Sequence, residues 1–252
     1  MIFPVEAVDL RKVFHDEGRG EVVAVDGLGF SVRPGEVFGL LGANGAGKTT
    51  TLRILSTVIS PTSGTARVMG HDVVAASAEV RRNLGFYSAS TALYPRLTAR
   101  ETIAFFAGIN QFPRERLDAR VDELIDRFNL AAYADARVEK LSSGMKQKVS
   151  IARTVAHNPP VLIFDEPTVG LDILNAIDVH RQIATLRDEG KTILFSTHIM
   201  SEAEKLCDRI GIIHKGRLLE CATLDELRAR TGQHYLEDIF VSCVGGAGEP
   251  GS

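Results

Sequence analysis

Cysteine is scarce in this chain of 252 residues: Cys207, Cys221 and Cys243 form no CxxC pair and no grouping with histidine at metal-ligand spacing. That excludes a disulfide framework and a zinc module, and reduced thiols of a cytosolic protein are the expectation. A basic excess is also missing. With 29 Lys and Arg against 32 Asp and Glu, the formal net charge is -3, which argues against a nucleic-acid partner. No apolar run approaches the roughly 18–20 residues that cross a bilayer. Met1 to Asp9 carries Glu6 and Asp9 and lacks the basic start and apolar centre of a signal peptide. These absences predict a soluble cytoplasmic chain that reaches a membrane only through a partner. The hydrophobic share of 44% and charged share of 24% are those of an ordinary globular protein.

What is present is an alternation of short apolar strands with helical patterns. The first thirty-odd residues read as short strands, with Val22, Val23 and Val25 in an apolar stretch and a turn at Arg33-Pro34-Gly35. Val37 to Leu41 is an all-apolar strand, Thr50 to Ile59 a helix that stops before Pro61, and 65–70 and 84–87 are strands. Thr98-Ala99-Arg100-Glu101 has the capping-box pattern that starts a helix. Leu117, Val121, Leu124, Ile125 and Phe128 line one face of another, so residues 93–145 read as an all-helical insert. Strands return at 161–164, 192–196 and 210–213, with a hairpin centred on Lys215-Gly216. Such alternation implies an α/β fold whose mostly parallel sheet is covered on both faces. We expect a single domain over 1–244 and a disordered Gly- and Pro-rich tail over 245–252.

Gly42-Ala43-Asn44-Gly45-Ala46-Gly47-Lys48-Thr49 fits G-x-x-x-x-G-K-[ST] in full and sits between an apolar strand and a helical pattern. Glycines let backbone N–H groups turn inward around phosphates, and the following helix offers its positive end to the same anion. Lys48 is placed to reach the β- and γ-phosphates, and the Thr49 hydroxyl to bind Mg²⁺. The loop alone implies a bound nucleotide without naming its task. The strand 161–164 then delivers Asp165 and Glu166 at its C-terminal end, where a doubly wound sheet places its ligand. Asp165 suits the Mg²⁺ side and Glu166 a general base for the attacking water. His198, after the strand 192–196, could hold that water or a γ-phosphate, although position alone does not separate it from a loop histidine. His71, His157 and His180 fit no metal spacing and read as structural or surface groups.

Leu141-Ser142-Ser143-Gly144-Met145, taken with the phosphate loop, Asp165-Glu166 and His198, resembles the ATPases of ABC transporters, whose signature runs Leu-Ser-Gly-Gly-Gln. The order and spacing match over about residues 5–225. The resemblance implies a P-loop NTPase core with an N-terminal antiparallel β subdomain and an inserted helical subdomain. It implies ATP and Mg²⁺, a second ATPase subunit in a homodimer, and an integral-membrane permease on the cytoplasmic face of the membrane. The nucleotide set is then residues 42–49 with Thr50, and Ser142, Ser143 and Gly144 facing the ATP of the other subunit. Met145, Val149, Ala152 and Ala156 share a helical face, so a helix starts at that signature and presents a second anion-binding end. Phe14 matches the adenine-stacking aromatic, with a core phenylalanine as the alternative. Asp172, in Thr168-Val169-Gly170-Leu171-Asp172, matches the acidic member of the loop through which subunits sense each other. His198 becomes the family's switch histidine, and Lys48, Glu166 and His198 the catalytic set.

This sequence departs from the family at three places. Ser143 replaces the first signature glycine, Met145 replaces the signature Gln, and Ala89 stands where a Gln usually touches the Mg²⁺–water site. The segments 88–101 and 143–148 resemble the sodium-exporting (NatA-like) branch. Drug, lipid or polysaccharide export, a non-transport ATPase acting on DNA or ribosomes, and a regulator without turnover are the alternatives.

Overall fold

Strands with and without alternating burial sort into two sheets. The structure is a computed structural model that describes residues 3–18 and 20–246. In chain order it forms β1 (Val5–Asp16), β2 (Gly20–Val32), β3 (Val37–Leu41), α1 (Lys48–Leu55), β4 (Ser63–Val68), β5 (His71–Asp72), α2 (Ser77–Asn83) and β6 (Leu84–Ser88). Then follow α3 (Ala99–Ile109), α4 (Leu117–Arg127), α5 (Ser143–Thr154), β7 (Val161–Asp165), α6 (Ile173–Asp188) and β8 (Thr192–Thr197). The chain closes with α7 (Met200–Leu206), β9 (Arg209–His214), β10 (Arg217–Ala222), α8 (Leu224–Thr231) and α9 (Leu236–Gly246).

The first sheet is antiparallel, in the order β2-β1-β4-β5. The second runs β10-β9-β3-β8-β7-β6 and is parallel except at its β10 edge. Every residue of β3, β7 and β8 is buried. Along β7, Leu162 and Phe164 enter one apolar cluster while Val161 and Ile163 enter another. Period-2 alternation therefore feeds two cores, one on each face, which is why the strands read as unbroken apolar runs. This is the α/β architecture expected, with helices α3 and α4 between β6 and α5.

Several boundaries differ from the sequence reading. The opening residues form two long strands, not several short ones; bulges shift the register of β1 against both neighbours between Ala7 and Val13, with Asp9 at φ 47°. α1 begins at Lys48 because Gly47 caps it, and it ends at Leu55 with Thr57 left-handed at φ 62°. Residues 114–116 make a 3₁₀ turn, so α4 starts at Leu117. The capping box forms as expected, with the Glu101 N–H donating to Thr98 Oγ1 at 3.1 Å and the Thr98 N–H to Glu101 at 2.8 Å. Gly245 and Gly246 close α9, whereas residues 247–252 of the expected tail lie outside the described residues.

Candidate active site

β3, β8 and β7 are adjacent, so their C-terminal ends deliver three loops to one place. The loop after β3 wraps the start of α1. Its glycines answer to packing as much as to turning: a Cβ at Gly42 would lie 2.5 Å from the Ile213 carbonyl oxygen. At Gly47 it would lie 2.5 Å from the Ala24 carbonyl oxygen, and φ there is 107°. The tip of the β9–β10 hairpin locks this loop from behind. The Gly216 N–H donates to the Ala46 carbonyl at 2.8 Å, and the Gly216 carbonyl accepts from the Asp26 N–H at 2.9 Å. With Lys215 at φ 47° and Gly216 at φ 79°, the two-residue turn has the left-handed geometry that matches strand twist.

Lys48 is 4% exposed, and its Nζ donates to the Gly42 carbonyl at 2.8 Å and the Ala43 carbonyl at 3.2 Å. The same ammonium lies 3.2 Å from Glu166 Oε1, and His198 Nδ1 lies 3.3 Å from that oxygen. The structure thus brings Lys48, Glu166 and His198 onto one carboxylate. Glu166 sits in the left-handed region at φ 48°, uncommon for a residue with a side chain. Ser196 holds it there, accepting the Glu166 N–H at both its carbonyl (3.2 Å) and its Oγ (3.1 Å). His198 is aimed by its neighbour: the Thr197 hydroxyl donates to buried Glu202 at 2.7 Å and accepts the Ile199 N–H at 2.9 Å.

Asp165 is buried and accepts from Thr49 Oγ1 at 3.1 Å and from Ser196 Oγ at 2.7 Å, with Ser88 Oγ 3.5 Å away. A carboxylate and hydroxyls beside a phosphate-type loop are the hard oxygen donors that Mg²⁺ takes, so Thr49 and Asp165 fit that ion. Asn44, Gly45, Ala46, Gly47, Thr50 and Glu166 help line an open cleft of about 230 Å³ above α1.

The remaining candidates stand apart from this cleft. Ser142 caps α5, its Oγ accepting the Met145 N–H at 3.3 Å, with Ser143 opening the helix. Val149 and Ala152 are buried, as the shared face requires, and Met145 is partly so, whereas buried Ala156 lies beyond the helix, which ends at Thr154. A Cβ on Gly144 would lie 3.0 Å from Asn175 Oδ1, and Asn175 is bonded to Asp172, which caps α6 by accepting the Asn175 N–H at 3.0 Å. Those bonds hold the Asp172 carboxyl below the usual carboxylate range. Phe14 is not in the core: it is 41% exposed on β1, with Lys12 Nζ 5.1 Å from its ring centre. Ser88, which follows from its place beside Ala89, stands near Asp165, whereas Ser196 and the Gly216 tip are site residues that motif spacing does not reveal.

Known proteins share this arrangement. The family model "ABC transporter" matches residues 25–169. The chain is 39% identical over 239 residues to the ABC transporter ATP-binding protein NatA of Bacillus subtilis, covering 94% of this chain and 97% of that protein. It is 39% identical to the daunorubicin resistance ATP-binding protein DrrA3 of Streptomyces coeruleorubidus, covering 88% and 70% respectively. A dimeric post-hydrolysis structure of the ATP-binding cassette MJ0796 with ADP and Pi superposes with a TM-score of 0.78 at 26% identity, covering 87% of this chain and 98% of that one.

Proposed function

The chain belongs to the ABC transporter ATP-binding family, and on that premise we propose that it hydrolyses ATP to power export by a separate membrane subunit. The observation that carries the reading is the single carboxylate oxygen of Glu166 lying between Lys48 and His198 at the mouth of the phosphate loop.

Loop N–H groups and Lys48 bind the phosphates, aided by the N-terminal end of α1. Glu166, pre-set by Ser196, takes the proton of the attacking water, and His198 keeps that carboxylate and water aligned. Thr49 and Asp165 would hold Mg²⁺, which would neutralise phosphate charge. Because Lys48 is also the ion-pair partner of Glu166, phosphate binding and the charge around the base are tied together.

The capped N-terminus of α5 does not line this cleft and, as the family resemblance implies, serves the ATP of a second copy of the chain, while Phe14 stacks on adenine. Two copies then close on two ATP molecules, a reading supported by the dimeric MJ0796 cassette. Among the described residues no helix is long and apolar enough to cross a membrane, which fits a peripheral subunit held at the cytoplasmic face by a permease.

Sodium is the cargo favoured by the resemblance of 88–101 and 143–148 to sodium exporters. A drug cargo is the second reading, favoured by the similarity to the daunorubicin resistance protein. The test is the ATPase rate of the complex with its co-purifying membrane subunit, measured with sodium and with hydrophobic drugs. Stimulation by sodium supports the first cargo. Stimulation by a drug with indifference to sodium supports the second, and no effect of the membrane subunit on turnover refutes coupled export.

A further inference from the structure

The usual Gln is missing at position 89, and an alanine methyl makes no hydrogen bond to the catalytic turn. A different link starts two residues earlier. Tyr87, one residue before Ser88 at the end of β6, is buried, and its phenol donates to Gln147 Oε1 at 2.7 Å. Gln147 lies on α5, just over one turn past the Ser142 cap, and its Nε2 donates to the Pro167 carbonyl at 2.6 Å. Pro167 directly follows Glu166, whose backbone is held at φ 48°.

One amide thus accepts at one end and donates at the other. The Pro167 carbonyl fixes its orientation: a carbonyl can only accept, so reversing the amide would set acceptor against acceptor there. The three parts it joins are the end of β6, the helix that begins at the signature, and the turn carrying the base. The Pro167 carbonyl belongs to the 167–168 peptide of the turn; the fixed φ of Pro167 passes a shift there back to Glu166, whose left-handed backbone has little freedom to absorb it. We infer that Gln147 is a positioning residue: through Tyr87 and Pro167 it ties the signature helix of the chain to its own Glu166. The inference rests on Glu166 being the base of the proposed ATPase. Because α5 faces the second copy's ATP in that reading, the bridge connects one composite site to the other.

Steady-state ATPase assays on the full chain test this with Gln147→Leu, Gln147→Glu, Tyr87→Phe, the Tyr87→Phe/Gln147→Leu double variant and Glu166→Gln. Gln147→Glu still accepts from Tyr87 but, ionised, cannot donate to Pro167. Both Gln147 variants are expected to lose about tenfold in kcat, the scale of one buried hydrogen bond, with KM for ATP within about twofold of wild type. Tyr87→Phe lowers kcat in the same direction, and the double variant is no slower than Gln147→Leu, since the two residues act as one unit. Wild-type kcat in Gln147→Glu, a rise in KM in place of the kcat loss, or additive losses in the double variant overturns the inference. Tyr87→Phe and Gln147→Glu, which keep size and packing, decide the matter if Gln147→Leu does not fold. Inactive Glu166→Gln beside fully active Gln147 variants refutes the bridge alone. Fully active Glu166→Gln refutes the base, and the bridge loses its target with it.

Discussion

Acid should destabilise the fold through one buried histidine. His157 follows α5, and its Nε2 lies 3.2 Å from the Leu84 carbonyl, while its Nδ1 is buried with no hydrogen-bond partner among the described residues. Burial is the main reason its pKa falls from 6.5 to about 4; the Leu84 and Arg81 carbonyls pull it up, and Lys191 and Arg120 push it further down. The folded-state pKa is below the unfolded one, so as pH falls the unfolded chain binds the proton first. Stability from this group is present above pH 6.5 and is lost progressively as pH falls from 6.5 towards 4. The loss amounts to about 2 kcal/mol by pH 5 and about 3 kcal/mol below pH 4. Urea unfolding of wild type and His157→Gln at pH 7.5 and pH 5 isolates the effect, because the amide can still donate to Leu84 but does not titrate. The stability difference between the two proteins should shift by about 2 kcal/mol in favour of the variant on acidification. Parallel pH dependences would refute the assignment of a neutral buried imidazole.

Lys48→Ala removes the ammonium that donates within the phosphate loop, and a fluorescent-nucleotide titration should show ATP affinity falling about tenfold or more, the worth of a charge-assisted hydrogen bond. Unchanged affinity would count against the loop as the phosphate site. Gly47→Ala forces a side chain to φ 107° and against the Ala24 carbonyl, so thermal or urea unfolding should show a loss of about 1–3 kcal/mol together with weakened nucleotide binding. Ala89→Gln supplies the polar contact that the family usually has there, and the ATPase rate or its stimulation by the membrane subunit should rise. If neither changes, the position is passive.

The parts of the site that were legible in the sequence are those set by local spacing. The phosphate loop must turn, bind and start a helix within eight residues, so its glycines and Lys48 stand together. Asp165 closes a fully buried strand and Glu166 follows it for a similar reason. What the sequence conceals is brought from far along the chain. Ser196 meets Glu166 across neighbouring strands, Gln147 meets Tyr87 and Pro167 across a helix, and Gly216 meets Ala46 from a hairpin. None of these pairs leaves a periodic trace. β1 reads as several short pieces because its bulges break alternation between Ala7 and Val13. α8 is absent from the sequence-based reading although Thr223 and Glu226 carry the same capping-box signal as Thr98 and Glu101, and both boxes form.

Glu166→Gln tests the central claim most directly, since it keeps the shape of the residue between Lys48 and His198 and removes its basicity. ATP should bind as tightly as in wild type while hydrolysis falls about 100-fold or more, the loss expected for a general base. Undiminished turnover in this variant would contradict the account.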